Sequence, residues 1–172
     1  MDLIHTYPSP LGEMLMASDG DGLRGLWFRG QKYFAAGLSP DTEEGSCPVF
    51  EQTVRWLDCY FSGRVPDFTP KLSLHTSQFR RSVYGILLTI PHGGTMTYGE
   101  IAAALARETG RPHMSAQAVG GAVGHNPVSL IIPCHRVIGA DGSLTGYAGG
   151  LEKKIRLLEL EGSGIIPHLR GR

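Results

Sequence analysis

The stretch Ala116-Gln117-Ala118-Val119-Gly120-Gly121-Ala122-Val123-Gly124 constrains this chain more than any other. Its period and the serine before it, Ser115, read as a helix with an N-terminal cap. Each interior glycine costs up to about 1 kcal/mol relative to alanine, so intrinsic propensity would not select Gly120 and Gly121. A helix that keeps them gains from a face without side chains. Two arrangements use such a face: close packing against a strand, or close approach to an external backbone such as DNA. A second helix precedes it. Thr97-Tyr98-Gly99-Glu100 fits a capping box, Ile101, Ala104 and Leu105 form its buried stripe, and the polar turn Thr109-Gly110-Arg111-Pro112 separates the two, which is the layout of a helix-turn-helix.

The rest of the chain reads as α+β. Residues 3–7, 12–18 and 22–28 alternate as short strands, with Asp19-Gly20-Asp21-Gly22 as the hairpin between the last two, and predict a small antiparallel sheet. Phe50, Val54, Leu57 and Phe61 recur at helical spacing after Pro48, predicting a helix over 49–62. Residues 63–76, with Pro66 and Pro70 and no period, read as a linker. Ser77 caps a helix carrying Phe79, Val83, Ile86, Leu87 and Ile90, stopped by Pro91. The β-branched run 128–132 reads as a buried extended segment ending near Cys134. Residues 139–150, with five glycines, form a loop, and Leu151, Ile155, Leu158 and Leu160 mark a closing helix that stops at Gly162. These divisions give a sheet-and-helix domain over 1–75, a mainly helical, winged-helix-like domain over 76–162, and a tail over 163–172.

Charge follows the same division. The 16 basic and 16 acidic side chains of the 172 residues cancel. Residues 1–75, however, hold 6 Lys and Arg against 10 Asp and Glu, and residues 76–172 hold 10 against 6. A polyanion therefore has a more favourable surface on the second part. No run approaches the roughly 18 apolar residues of a membrane-spanning helix, and the first residues lack a secretory signal pattern, so the chain reads as cytoplasmic, without a membrane partner. Its three cysteines, Cys47, Cys59 and Cys134, are odd in number and widely spaced, which suits neither a disulfide framework nor a zinc site. No metal is expected.

Pro133-Cys134-His135-Arg136 carries the chemistry. A thiol with a reference pKa near 8.5 is only a few per cent thiolate at neutral pH, so a nucleophilic cysteine needs a base or a positive surrounding. His135 and Arg136 could supply both. In a regular strand His135 would point away from Cys134. Pro133 and the loop beyond favour a bend that brings them to one side. Read alone, the pair also fits a buried structural cysteine beside an incidental histidine.

Residues 120–162, including Gly-His-Asn-Pro-Val-Ser-Leu-Ile-Ile-Pro-Cys-His-Arg-Val and Gly-Tyr-Ala-Gly-Gly-Leu-Glu-Lys-Lys, closely resemble the O6-alkylguanine-DNA alkyltransferases, the methylated-DNA–protein-cysteine methyltransferases. Tyr-Pro-Ser-Pro-Leu-Gly at 7–12 and Thr97-Tyr98-Gly99-Glu100 extend the resemblance to the remainder. It implies DNA repair by direct, irreversible transfer of an alkyl group from O6 of guanine, with O4 of thymine left open, onto the protein itself, once per molecule and without a cofactor.

The resemblance also implies roles. Cys134 is the acceptor, His135 takes its proton through water, and Glu161 hydrogen-bonds the imidazole. Asn126 braces the turn between recognition helix and active-site segment. Tyr98 assists base flipping and can donate a proton to the departing guanine. Val137 and Ala148 offer a backbone carbonyl and N–H to the base, and Tyr147 forms the other pocket wall. Ser115, Gln117, Ala118, Gly120, Gly121 and Arg136 are implied contacts to double-stranded DNA. The recognition helix would enter the minor groove while the target base is flipped out, at a cost of a few kcal/mol. The protein would act as a monomer. One position departs from the pattern: Gln117 stands where many members place an intercalating arginine. Two other readings use part of these features. A sequence-specific regulator explains the helix-turn-helix but not the Cys-His pair, and a cysteine hydrolase explains the pair but should turn over repeatedly.

Overall fold

The computed structural model describes residues 1–164, and the chain within it forms two compact units. The first comprises residues 1–75 together with a short return, 127–131; the second comprises 76–126 and the chain from 132 onward.

In the first unit, strands β1 (Asp2–Ser9), β2 (Gly12–Ser18) and β3 (Leu23–Phe28) form the expected antiparallel meander, ordered β3-β2-β1. Asp19 closes the β2–β3 hairpin by accepting from the N–H groups of Asp21 and Gly22. Along β2, Leu15 and Ala17 join Trp27 in one apolar cluster, and the alternate residues Met14 and Met16 are fully buried on the other face. Both faces are therefore covered. Helix α1 (Pro48–Phe61) packs on β1 and β2, burying Phe50, Trp56, Leu57 and Tyr60. A fourth strand, β4 (Thr42–Glu44), runs parallel to β1 and escapes pattern reading because all three residues are exposed. The stretch read as a plain linker also makes one bridge, with Leu23 N–H donating to Lys71 O (2.7 Å) and Ser73 N–H to Leu23 O (2.8 Å).

The return 127–131 corrects the expectation of an extended segment over 128–132. Only Val128 pairs, beside Leu26; Leu26 N–H donates to Pro127 O and Ser129 N–H to Leu26 O. The chain then turns, with Leu130 at φ 72° and Ile131 N–H bonded back to Ser129 O. The run is apolar because it is buried, not because it is a strand.

The second unit contains α2 (Gln78–Leu87), β5 (Met96–Thr97), α3 (Tyr98–Thr109), α4 (Ala116–Gly124), a 3-10 turn (Cys134–Arg136), β6 (Val137–Ile138) and α5 (Leu151–Leu160). Its helix starts are the predicted ones. Ser77, Thr97 and Ser115 each accept a backbone N–H three residues on, and Glu100 closes the capping box by accepting from Thr97 N–H. Gly110, at φ 68°, ends α3 in the left-handed conformation that glycine adopts without strain. Helices α2, α3 and α4 pack on one another, and the Tyr84 hydroxyl donates to Ala122 O at 2.8 Å. β5 and β6 pair in parallel, linking the start of α3 to the chain leaving Cys134.

Helix α5 has a different phase from the one expected. Leu151 is 48% exposed, whereas Lys154, Leu157 and Leu158 are fully buried. Ser163, where the tail is expected to start, is buried and its N–H donates to Leu158 O; residues 165–172 of that expected tail lie outside the described residues. Among the described residues, no helix is long and apolar enough to cross a membrane.

Candidate active site

Cys134 opens the 3-10 turn, so Cys134, His135 and Arg136 occupy consecutive positions of one tight turn instead of alternating across a strand. All three are buried, with Cys134 5% exposed and His135 fully enclosed. The two side chains after Cys134 converge on a single carboxylate. His135 Nε2 meets Glu161 Oε2 at 2.5 Å, and Arg136 reaches the same group through Nε to Oε1 (2.8 Å) and Nη2 to Oε2 (3.2 Å). Gly93 N–H adds a fourth donor to Glu161 Oε1 at 3.3 Å. Arg136 Nη1 donates to Ile90 O at 2.6 Å.

These contacts fix protonation. Burial alone would raise the Glu161 carboxyl, but the hydrogen bond from His135 and the hydrogen bonds and charge of Arg136 hold it well below the usual carboxylate range. An ionised carboxylate only accepts, so His135 Nε2 carries the hydrogen. Burial outweighs the carboxylate and pulls the His135 pKa down, which leaves a neutral ring whose basic nitrogen is Nδ1. Burial also pushes the Cys134 thiol up, while a hydrogen bond from Asn126 and the charge of Lys154 pull it partly back. The resting thiol is thus protonated at neutral pH and needs a proton acceptor when it reacts.

Asn126 lies just past the end of α4 and is 5% exposed. Its Nδ2 donates to Ile132 O at 2.7 Å, two residues before Cys134. One buried amide thus joins the end of the helix to the chain entering the turn and also contacts the thiol.

The helix-turn-helix sorts the other expected residues by face. In α4, Val119, Ala122 and Val123 are buried, while Gln117, Ala118 and Gly121 are exposed neighbours on the outer face. Ser115 is exposed and caps the helix through Ala118 N–H (3.2 Å). The two central glycines differ. A Cβ on Gly121 would meet nothing within 4 Å, whereas one on Gly120 would sit 3.8 Å from the Tyr98 ring. A side chain at Gly120 would thus make ordinary contact with Tyr98, the first residue of α3, whereas the backbone of Gly121 is open. Tyr147 and Ala148 are partly buried in the loop before α5, and Val137 is fully buried in β6.

Arg136 is a correction to the sequence reading. It was expected to touch DNA, yet it is 8% exposed and its guanidinium is bonded to Glu161 and Ile90. A planar fork that can bind both oxygens of a carboxylate is worth more inside, beside a buried Glu161, than on the surface. Sequence reasoning missed Lys154, whose Nζ donates to Val137 O (2.6 Å), Thr145 O (3.1 Å) and Gly146 O (3.1 Å). A signal existed: Lys154, Leu157, Leu158 and Glu161 are spaced as one helical face, so placing Glu161 inside also places Lys154 inside. Among the described residues, no group of His, Cys, Asp and Glu side chains has the geometry of a metal site.

A buried cysteine with a histidine–carboxylate pair, on a unit built around a helix-turn-helix, defines a DNA-associated protein that uses a thiol. The relatives agree with that class. The family model for the 6-O-methylguanine DNA methyltransferase DNA-binding domain matches residues 78–163, and that for its ribonuclease-like domain matches 3–74. A methylated-DNA–protein-cysteine methyltransferase of Methanosarcina acetivorans is 44% identical over 158 residues, covering 91% of this chain and 96% of that protein. The crystal structure of Mycobacterium tuberculosis O6-methylguanine methyltransferase superposes with a TM-score of 0.78 at 42% identity, over 94% of this chain and 93% of the other. That of Mycobacterium tuberculosis OGT in complex with DNA gives 0.78 at 39% identity, over 95% and 97%. The chain belongs to the 6-O-methylguanine DNA methyltransferase family.

Proposed function

We propose that this protein repairs DNA by moving an alkyl group from O6 of guanine onto the sulfur of Cys134. It is a methylated-DNA–protein-cysteine methyltransferase that acts on DNA and acts once. The observation that carries the assignment to Cys134 is the convergence of His135 and Arg136 on Glu161, directly after the cysteine. The sulfur attacks the saturated carbon, the carbon–O6 bond breaks, and the electron pair leaves on the guanine. The thiol proton passes to His135 Nδ1 through a water, and guanine takes a proton from the Tyr98 hydroxyl. The thioether product has no leaving group that restores the thiol, so each molecule is consumed.

Residues 76–162 form the DNA-binding and transfer domain. The outer face of α4, with Gln117, Ala118 and Gly121, meets the minor groove; Ser115 and the helix N-terminus contact phosphate. Gln117 occupies the space left by the flipped base and offers two donors and an acceptor to the orphaned cytosine. Val137, Tyr147 and Ala148 line the base pocket. Arg136 acts inside the protein by bracing Glu161. The protein works as a monomer in the cytoplasm. Substituting Cys134→Ala and incubating with a duplex carrying O6-methylguanine tests the assignment: lesion repair is abolished and duplex binding is kept. Repair by the Cys134→Ala protein would overturn it.

A further inference from the structure

Lys154 is fully buried in α5, on the face that carries Leu157 and Leu158. Its Nζ meets three carbonyl oxygens, those of Val137, Thr145 and Gly146, and, among the described residues, no carboxylate. An ammonium has three N–H donors and no acceptor, so three carbonyls match it one for one. A buried cation without a counter-anion is nonetheless expensive, and burial pulls its pKa down to about 8. Methionine would fill the same space without that penalty, so packing alone does not account for a lysine here. The acceptors show what it holds. Val137 is the first residue after the Cys134–Arg136 turn, and Thr145 and Gly146 immediately precede Tyr147 and Ala148.

We propose that Lys154 is a positioning residue for the transfer reaction: its ammonium ties the loop 139–150 to the strand that leaves the Cys134 turn, and gives the sulfur a fixed positive charge that favours the thiolate. The inference rests on Cys134 being the acceptor. Both effects need the charged form. A neutral amine has two N–H groups, so one of the three carbonyls loses its donor, and the field at the sulfur disappears. The groups whose charge is felt at this point are Cys134 and His135 of the turn. Arg136 and Glu161 are paired with each other.

The test compares wild type with Lys154→Met, which keeps an unbranched side chain, one atom shorter, and removes the charge. Three quantities are measured: the single-turnover rate of methyl transfer from an O6-methylguanine duplex, the duplex Kd, and the pH dependence of Cys134 alkylation by iodoacetamide without DNA. The variant should transfer about tenfold more slowly and bind DNA within about threefold of wild type. Alkylation of Cys134 at pH 7, where Lys154 carries its proton, should also be about tenfold slower in the variant, as for a change of about one pH unit in the thiol, and the two rates should converge as pH rises past about 8. An unchanged transfer rate, or a slower transfer rate with equal alkylation of Cys134 at pH 7, overturns the proposal. If Lys154→Met does not fold, hydrogen exchange on the wild type decides. Amides of 142–148, corrected for intrinsic exchange, should lose protection as pH rises through about 8, the value at which Lys154 loses its proton. Protection that stays constant overturns the proposal. If wild type itself leaves Cys134 unmethylated, the functional assignment fails instead.

Discussion

Glu161 and Arg136 form a two-point buried ion pair, Nε to Oε1 at 2.8 Å and Nη2 to Oε2 at 3.2 Å, and His135 binds the same carboxylate. The guanidinium keeps Glu161 ionised, and the ionised carboxylate holds His135 in the tautomer that can take a proton at Nδ1. Removing the carboxylate charge therefore affects both folding and reaction. Glu161→Gln leaves the guanidinium without its counter-charge, at a cost of about 3–5 kcal/mol if it is fully uncompensated. It should also slow methyl transfer at least about tenfold. The pH dependence has a definite sign. The Glu161 carboxyl is depressed in the folded state, so its stabilisation is present above the unfolded carboxyl pKa and is lost as pH falls below it. Melting temperatures of wild type and Glu161→Gln should differ most near neutrality and converge in acid. Parallel curves down to pH 3 would contradict this.

Asn126→Ala removes the donor to Ile132 O and the contact to the Cys134 thiol. The uncompensated carbonyl costs about 1–3 kcal/mol. Since Asn126 pulls the thiol pKa down, its loss moves Cys134 alkylation to higher pH and slows transfer at neutrality. A destabilised variant with an unshifted alkylation profile would limit Asn126 to bracing the chain.

Gly121 presents open backbone on the outer face of α4. Gly121→Ala places a methyl in open space and should stabilise the fold by about 1 kcal/mol through helix propensity. If the outer face of α4 lies against the DNA backbone, the same methyl weakens duplex binding several-fold. Chemical denaturation together with a duplex titration reads both. A more stable protein with unaltered DNA affinity would remove Gly121 from the interface.

Gln117 stands on the exposed face of α4. Gln117→Arg adds a cation there, so duplex affinity should rise and its salt dependence should steepen by about 0.9 in log–log slope for one added phosphate contact. Wild-type binding should be weak and shallow in salt, in keeping with zero net charge. Titrations at several salt concentrations test this, and an identical slope for both proteins would contradict it.

The helix starts were legible because capping is local chemistry: Thr97 with Glu100, and Ser77 and Ser115, each act within one turn. The motif around Cys134 was legible through its resemblance to a family. What escaped depends on contacts distant in sequence. β4 is a three-residue exposed strand whose pairing with β1 no alternation announces. The turn at Leu130 is hidden inside an apolar run that reads as a strand. Lys154 and Arg136 look like surface cations until their acceptors, Val137, Thr145 and Gly146 for one and Ile90 and Glu161 for the other, are brought around them. Long polar side chains are placed by such partners, not by period.

The central claim is that Cys134 is the only methyl acceptor and is used once. The most direct measurement is mass analysis of peptides after incubation with excess duplex bearing O6-methylguanine. The account predicts a gain of one methyl group confined to the peptide containing Cys134, saturating at one per protein. Methylation at Cys47 or Cys59, or continued repair after Cys134 is fully modified, would contradict it.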